Sequence, residues 1–228
     1  MPFLGFHPSE SAAASASSTL ATTTTIGDGT AEDIQIRFDG NTLDYHIGLD
    51  DSGDLLTIGK GSALGTTTAM TFDTNGIMVK PLNSCFGSFV NTAQSNLATN
   101  TDHTIAFSFE VSDHNADYDN SNYIFTAPVT GTYQFNFSMR ITNLDTASSF
   151  DNYKIVTSNA TYVNKQSPSS WGIADTNMIM YCHTVTDMDA GDTCKCVFKT
   201  GSGAAQADVI ENSNSLYINS GFSGYLIG

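Results

Sequence analysis

Oxygen-bearing side chains crowd into one short stretch of this chain, residues 113–120, which reads DHNADYDN. Carboxylate oxygens are the ligands that calcium prefers in proteins, so Asp113, Asp117 and Asp119 are candidate metal ligands. The stretch lacks the glycine and the terminal glutamate of the EF-hand loop, and hydrogen bonding within a solvated turn is the alternative interpretation. We therefore expect no cofactor, with calcium at this loop as the one exception that the sequence suggests.

Cysteine and histidine side chains offer a second set of metal ligands, at Cys182, His183, Cys194 and Cys196. Successive residues of a strand point to opposite faces, so Cys182 and His183 cannot both bind one zinc ion, and at most three of these ligands converge. We expect instead that these cysteines, with Cys85, are buried and reduced in a chain that folds in a cytoplasm.

The sequence shows no arrangement of nucleophile, base and acid. Ser223, within Gly-Phe-Ser-Gly, has the wrong spacing for a nucleophile elbow. The five histidines stand outside recognisable catalytic motifs: His7, His46, His103, His114 and His183. We therefore expect a protein that is not an enzyme.

A second loop carries the chain's one tryptophan, Trp171, within the polar segment 166–175. Binding residues gather in the loops of rigid β-sandwiches, and an indole in such a loop suits a sugar or a protein partner. The alternative is that Trp171 fills the sandwich or a seam between subunits. The candidate ligand-binding residues are thus Trp171 and, from the first loop, Asn115, Asp117, Tyr118 and Asp119.

The acidic balance of the chain narrows the range of partners. The formal net charge is −15, from 23 acidic and 8 basic residues. It is spread out, because residues 1–80 hold ten acids and three bases, and residues 81–228 hold thirteen and five. Such a surface repels phosphate, so nucleic acid is a poor partner. No stretch approaches the ~20 apolar residues that span a bilayer, and the first residues lack the basic start and apolar run of a secretion signal.

The element that must position both loops is a strand that begins after Pro128-Val129-Thr130-Gly131. From Thr132 to Ile141 the chain alternates strictly: Tyr133, Phe135, Phe137, Met139 and Ile141 share one face, and polar residues share the other. A period of two with one aromatic face predicts a strand at the core of a β-sandwich.

Further strands are predicted on both sides of it, and no segment has a sustained helical period. The same alternation appears where Cys194, Cys196 and Phe198 interleave with Lys195, Val197 and Lys199. The fold class is therefore all-β, with two packed sheets. The predicted strands are Phe86–Val90, Thr104–Val111, Tyr123–Ala127, Thr132–Ile141, Tyr153–Thr157, Asn177–Val185, Thr193–Lys199, Leu216–Ile218 and Phe222–Ile227.

Four motifs in this part resemble the complement globular-head and tumour-necrosis-factor superfamily of trimeric jelly rolls. They are FTAPVTGTYQF at 125–135, the strand and loop IAFSFEVSDHNADYD at 105–119, the turn MDAGD at 188–192 and the closing strand GFSGYLIG at 221–228. The resemblance covers about residues 85–228, with the motifs in the order of the family.

This resemblance implies a jelly-roll sandwich and a homotrimer whose inner sheets meet at an aromatic-lined axis. On this basis we expect some of the aromatic and apolar residues of these strands to pack between subunits instead of within one chain. The candidates for trimer or core packing are Tyr133, Phe135, Phe137, Phe222, Tyr225 and Leu226.

Residues 26–80 form a second unit of short β-prone pieces separated by turn residues such as Asp39-Gly40-Asn41. A segment of this size with few large apolar residues is marginal alone, and packing three copies about an axis would supply the missing burial. The segment resembles the β-rich shafts of bacteriophage fibres. The predicted strands are Ile34–Phe38, Tyr45–Leu49, Leu55–Ile58, Ala69–Phe72 and Ile77–Val79.

Residues 1–25 combine a short apolar start with an Ala/Ser/Thr-rich linker that cannot fold alone. We interpret the apolar first residues as a segment that attaches the chain to another protein; the alternative is a frayed terminus. The residues that we expect to contact other virion proteins are Pro2, Phe3, Leu4 and Phe6.

The sequence as a whole predicts a homotrimeric fibre or spike of a virion, assembled in the host cytoplasm. Residues 1–25 would anchor it to the particle, 26–80 would form the shaft, and 81–228 would form a head that attaches to a host-surface glycan or protein. One alternative is a capsid decoration or connector with a purely structural role. A second is a secreted, lectin-like binding module.

Overall fold

The computed structural model describes residues 25–170, 177–203, 206–212 and 219–228, and in these ranges the chain is almost entirely β. One 3-10 turn, Pro168–Ser170, is the only helical element of the described residues. No helix within those ranges has the length and apolarity needed to span a membrane. The all-β class predicted from the alternating pattern is confirmed.

The first sheet is built from residues 34–79 and has five antiparallel strands, each paired with the next in the chain. Aspartates shape its turns: Asp73, for example, accepts hydrogen bonds from the backbone N–H groups of Asn75 and Ile77 at 2.9 and 2.7 Å. All five strands fall where the turn residues predicted them. They are β1 Ile34–Phe38, β2 Tyr45–Asp50, β3 Leu55–Lys60, β4 Thr68–Phe72 and β5 Met78–Val79.

The rest of the chain forms two sheets that pack face to face. Its strands are β6 Cys85–Phe89, β7 Gln94–Leu97, β8 His103–Thr104, β9 Phe109–Asp113, β10 Tyr118–Asp119, β11 Ile124–Thr126, β12 Gly131–Thr142, β13 Asp151–Thr157, β14 Thr161–Gln166, β15 Met178–Met188, β16 Thr193–Thr200, β17 Ala207–Val209 and β18 Gly221–Leu226.

The second sheet has the strand order β10-β11-β16-β13-β14, with β8 also paired to β16. The third has the order β7-β17-β12-β18-β6-β9, with β15 also paired to β12. The chain crosses repeatedly between them: β11 lies in the second sheet, β12 in the third, β13 and β14 in the second, β15 in the third and β16 in the second. These crossings between two antiparallel sheets give the jelly-roll arrangement.

The core between these sheets is centred on β12. Its five alternate side chains, Tyr133 to Ile141, are each at most 3% exposed, as the period of two predicted. Aromatic rings from neighbouring strands pack on them: Phe125 lies edge-on to Phe135 at 5.3 Å between ring centroids, and Phe86 lies edge-on to Phe222 at 4.9 Å. Burying each such side chain contributes roughly 1.5–3 kcal/mol, so this strand anchors the sandwich.

The predicted strand Thr104–Val111 is wrong in one respect, because the structure divides it between the two sheets. β8 pairs with β16 in the second sheet, and β9 pairs with β6 in the third. Between them, Ile105 and Phe107 are each 1% exposed in the core, so the apolar alternation marks a buried crossing. β7, β10, β14 and β17 lacked a strong apolar pattern and were not predicted. The predicted strand Leu216–Ile218 lies outside the described residues.

Candidate functional site

The acidic loop after β9 is held together by its own carboxylates. Asp113 accepts hydrogen bonds from the backbone N–H groups of Asp117 and Tyr118 at 3.1 and 2.9 Å. Asp117 accepts one from the Ser84 hydroxyl at 2.7 Å. Asp113 therefore faces the loop's own backbone donors, whereas Asp117 faces Ser84, just before β6.

Asp119 closes the turn that follows. The side-chain amide of Asn122 donates to it at 2.6 Å, and this bond, with further hydrogen bonds from Ser121, lowers the pKa of the Asp119 carboxyl. Across the described ranges, no group of three or more His, Cys, Asp or Glu side chains is placed to hold a metal ion. The arrangement corresponds to the alternative interpretation of a hydrogen-bonded turn.

Tyr118 was a candidate ligand-binding residue, and its position in the structure contradicts that role. The side chain is 3% exposed, its ring stacks on Phe86 at 4.7 Å between centroids, and its hydroxyl donates to the carbonyl of Phe107 at 2.9 Å. Burial also raises the pKa of this phenol. The physical reason is pairing: Tyr118 lies directly opposite Phe125 in the second sheet, so both rings point into the core.

The remaining candidate ligand-binding and attachment residues differ in their positions. Asn115 is half-buried, and its side-chain amide donates to the carbonyl of Leu82 at 3.0 Å. Asp117 and Asp119 reach the surface but serve the loop as described above. Trp171, and the proposed attachment residues Pro2, Phe3, Leu4 and Phe6, lie outside the described residues.

Three of the four cysteines are buried thiols, and the expectation that Cys85 is also buried is wrong, because it is only half-buried. Cys182, Cys194 and Cys196 are at most 6% exposed, and all are free. Burial raises the pKa of each thiol, which keeps them protonated and unreactive. His183 points to the opposite, exposed face of β15, as strand geometry predicted.

Most candidates for packing between subunits lie inside the single chain. Tyr133, Phe135, Phe137 and Phe222 are at most 3% exposed, so of the two roles for which they were candidates, trimer packing or core packing, they fill the core of the single chain. They face the opposing sheet because the apolar face of β12 turns inward. Leu226 is partly buried against that core. Only Tyr225 is exposed, at 41%, with its hydroxyl donating to Gln134 Oε1 at 2.6 Å.

The outward face of the third sheet is an apolar surface that no residue of the described chain covers. Val111, Tyr181 and Val185 are 56–60% exposed there, and Tyr225 is a fourth exposed side chain on the same face. An open groove of about 420 Å³ crosses this face. Its floor and walls are formed by Gly87, Val111, Asn136, Ser138, Tyr181, Gly221 and Ser223. Apolar walls over a small, polar floor suit a protein contact and hold no nucleophile with its base.

The first sheet displays an even more apolar face, which we call the first-sheet face. One row crosses all five strands through paired residues and consists of Ile34, Leu49, Leu56, Phe72 and Met78. A second row consists of Ile36, Ile47, Ile58 and Met70, and Phe38 pairs with Tyr45 beside it. This cross-strand register could not be seen in the sequence, where the same residues are scattered over 45 positions.

The opposite face of the first sheet is covered by the loop that follows β3. His46 is 1% exposed, and its Nδ1 lies 3.0 Å from the carbonyl of Gly61. Gly59 lies beneath the imidazole so closely that an added Cβ would be 2.6 Å from His46 Nε2 and 2.7 Å from the carbonyl of Thr67. The loop after β3 therefore covers the polar face and leaves the apolar one open.

The strand order of the two packed sheets defines the class of protein: it is all-β, with a jelly-roll sandwich that follows a separate five-stranded sheet. No protein family model matches the chain, and neither does any curated protein sequence.

Solved structures that resemble it align with 64% of the chain. They include the globular domain of zebrafish complement 1qA protein, at 17% identity, a TM-score of 0.43 and 98% of that chain. The structure of murine APRIL at pH 8.5 has 9% sequence identity, a TM-score of 0.44 and 99% of its chain aligned. That of Eiger TNF from S. frugiperda has 11% identity, a TM-score of 0.44 and 93% of its chain aligned.

Proposed function

We propose that this protein is a homotrimeric, non-enzymatic fibre subunit of a virus particle, whose sandwich attaches to the host surface. The observation that carries the proposal is the first-sheet face, an apolar surface on a thin sheet that the described residues leave largely uncovered. A monomeric soluble protein rarely leaves so large an apolar patch in water, so another copy is its natural partner.

The size of the patch supports self-association. Six side chains of the first-sheet face are 41–59% exposed: Ile36, Phe38, Tyr45, Leu49, Leu56 and Met78. Together they leave on the order of 600 Å² of mostly apolar surface, close to the roughly 800 Å² that each partner buries in a stable interface. Burying it would contribute on the order of 15 kcal/mol per chain, enough to offset the roughly 4–15 kcal/mol cost of association.

Three copies are favoured because the outward face of the third sheet is also open and apolar. In a closed ring the same face of every subunit turns toward one axis, so no subunit keeps its apolar face in solvent. The resemblance of the sandwich to trimeric jelly rolls supports the same number. Within this assembly, residues 26–80 would be the shaft and residues 81–228 the heads.

The two ends of the chain would have separate tasks. The apolar residues Pro2, Phe3, Leu4 and Phe6 would attach the fibre to other virion proteins. The loops of the heads, including Asn115 and Trp171, would contact a host-surface glycan or protein. Three weak head contacts per fibre, and several fibres per particle, raise avidity by a factor of roughly 10²–10⁴.

The test of assembly compares two substitutions one residue apart on β1. Ile36→Glu places a charge on the first-sheet face, and Gln35→Glu places the same charge on the opposite face. In sedimentation at micromolar concentration we expect a trimer for the wild type and for Gln35→Glu, and monomer or aggregate for Ile36→Glu. A compact wild-type monomer would refute the assembly.

The test of attachment uses the purified trimer as a competitor. Soluble trimer should block adsorption of the virus to its host cells. A trimer that neither binds cells nor slows adsorption would instead favour the structural brace among the alternatives.

A further inference from the structure

Four of the chain's eight basic residues lie on the outward face of the second sheet. We call this the lysine face; it carries Lys154 on β13, Lys165 on β14, and Lys195 and Lys199 on β16. Their neighbours along the strands, such as Tyr153 and Phe198, are fully buried, so strand parity turns the lysines outward.

Strand register brings these lysines together from distant parts of the chain. Asn152 pairs with Lys165 on one side and with Lys199 on the other, which places the two lysines in one row about 10 Å apart. Lys154 lies in the next row and pairs with Val163 and Val197.

Lys195 belongs to a third row and pairs with Val156. It lies about 13 Å from Lys199 along β16. At the centre of this face Val197 is buried and the Lys154 side chain is only 14% exposed, so the accessible charges are those of Lys165, Lys195 and Lys199 around it.

Most of these charges are left without an acidic partner. The Lys154 ammonium binds Asp102 at 2.6 Å, and the Lys165 ammonium lies 5.2 Å from the centre of the Phe150 ring. The side-chain ammonium groups of Lys195 and Lys199 make no ion pair or hydrogen bond with any residue that the structure describes. Asp119, on the neighbouring strand pair, is already bound by its own turn.

The net charge of −15 does not cancel this local field. Charges are screened over about 8 Å at physiological ionic strength, so an anion that touches the sheet senses the lysines and few of the acids elsewhere. The low overall isoelectric point therefore excludes a general affinity for polyanions but not a local one.

We propose that the lysine face binds a linear anionic polysaccharide, one that carries carboxylates on successive sugar units. Neighbouring lysines stand about 7–13 Å apart and do not converge, so they suit a polymer that spreads its charge and not one small anion. Exposed apolar carbons between them, such as Val163 at 49% exposure, offer contact for sugar rings. This inference rests on the proposed function and names the chemical class of the host-surface ligand.

Nucleic acid and protein fit this face less well. The outward positions of its strands hold no aromatic side chain, and the Phe150 ring at its edge is already covered by Lys165, so the face lacks a row of rings on which successive bases could stack. A flat sheet also lacks the projecting element that enters a nucleic-acid groove. An acidic protein segment remains the competing partner, and the experiment includes it.

The experiment measures binding of full-length protein to alginate oligosaccharides, a polymer of uronic acids, at 0.15 M salt. Dextran of equal length is the neutral probe, and polyglutamate is the acidic polypeptide. The test variant is Lys195→Gln with Lys199→Gln. Its matched control, Lys60→Gln with Lys80→Gln, removes two positive charges from the first unit.

We expect the wild type and the control to bind alginate and not dextran, and the Lys195/Lys199 variant to bind at least tenfold more weakly. Rising salt should weaken wild-type binding more steeply than that of the variant. Absence of alginate binding by the wild type, equal loss in both double variants, or binding to polyglutamate alone would each overturn the proposal.

A failure here is distinguishable from failure of the proposed function. A wild-type trimer that competes for host cells but ignores alginate refutes only the lysine face. A monomer that binds alginate through Lys195 and Lys199 refutes only the assembly.

Discussion

Gly224 of β18 lies directly against the ring of Phe135 of β12. The two residues are paired across the third sheet, and a Cβ added at Gly224 would be 2.5 Å from Phe135 Cδ1 and 2.7 Å from Phe86 Cε1. Only a glycine leaves room for both rings. The Phe-Ser-Gly sequence near the end of the chain is thus a packing requirement of the aromatic core, not a catalytic motif around Ser223.

Gly224→Ala should destabilise the sandwich by about 1–3 kcal/mol, because the added methyl forces buried rings away from their positions. Denaturant unfolding followed by fluorescence would measure this change. Gly87→Ala on the adjacent strand β6 is the control, since its nearest new contact would be Ser112 Oγ at 3.6 Å. Equal effects at the two glycines would contradict the packing argument.

Much of the sandwich was predictable because the residue pattern of one strand shows directly which side chains form the core. The aromatic alternation of β12 gave both its length and its buried face. Tyr118 shows where local pattern fails: Tyr-Asp in a polar loop resembles a solvated turn, and only the pairing of Tyr118 with Phe125 turns its ring inward.

The candidate surfaces were even less predictable. The lysine face depends on Asn152 pairing with both Lys165 and Lys199, and such register is a property of the folded sheet. The first-sheet face is similar, because Ile34 and Met78 join one row only after four turns close. A sequence pattern shows which side of each strand is apolar, but not which strands lie side by side.

Phe135→Ala should cost about 3–5 kcal/mol, because the ring is fully buried and its removal leaves a cavity in the core of each chain. Thermal unfolding and solubility would measure the loss. Tyr225→Ala is the comparison: its ring is exposed in the single chain, so the free energy of unfolding of the monomer should change by less than about 1 kcal/mol. An unchanged melting temperature for Phe135→Ala would argue against this core.

The thiols should differ sharply in reactivity. Cys182, Cys194 and Cys196 are buried, with pKa values raised by burial. The pKa of Cys85 is raised as well, by partial burial and by the nearby Asp113 and Asp117, but its side chain is only partly buried and so remains accessible to reagents. We expect alkylation of native protein at pH 8 to modify Cys85 first and to reach the other three only after unfolding, as peptide mass analysis would show. Rapid labelling of Cys194 in native protein would be inconsistent with its position in the core.

Asp151 should make stability depend on pH in an unusual direction. The side chain is fully buried on β13, and its Oδ1 accepts a hydrogen bond from the Ser148 hydroxyl at 3.2 Å. Burial raises the pKa of this carboxyl, and hydrogen bonds from Thr200 and Ser148 offset part of that rise.

A raised folded-state pKa means that the stabilising contribution of Asp151 is full below its unfolded pKa of about 4 and is lost as pH rises through the folded value. Asp151→Asn keeps the shape without the buried charge, so it should be more stable than the wild type at pH 7. Denaturant midpoints at pH 7 and pH 4.5 would show this gain shrinking at the lower pH. Ser149→Asn, on the exposed chain nearby, should show no such pH-dependent difference, and an Asp151→Asn variant less stable than the wild type at pH 7 would contradict the prediction.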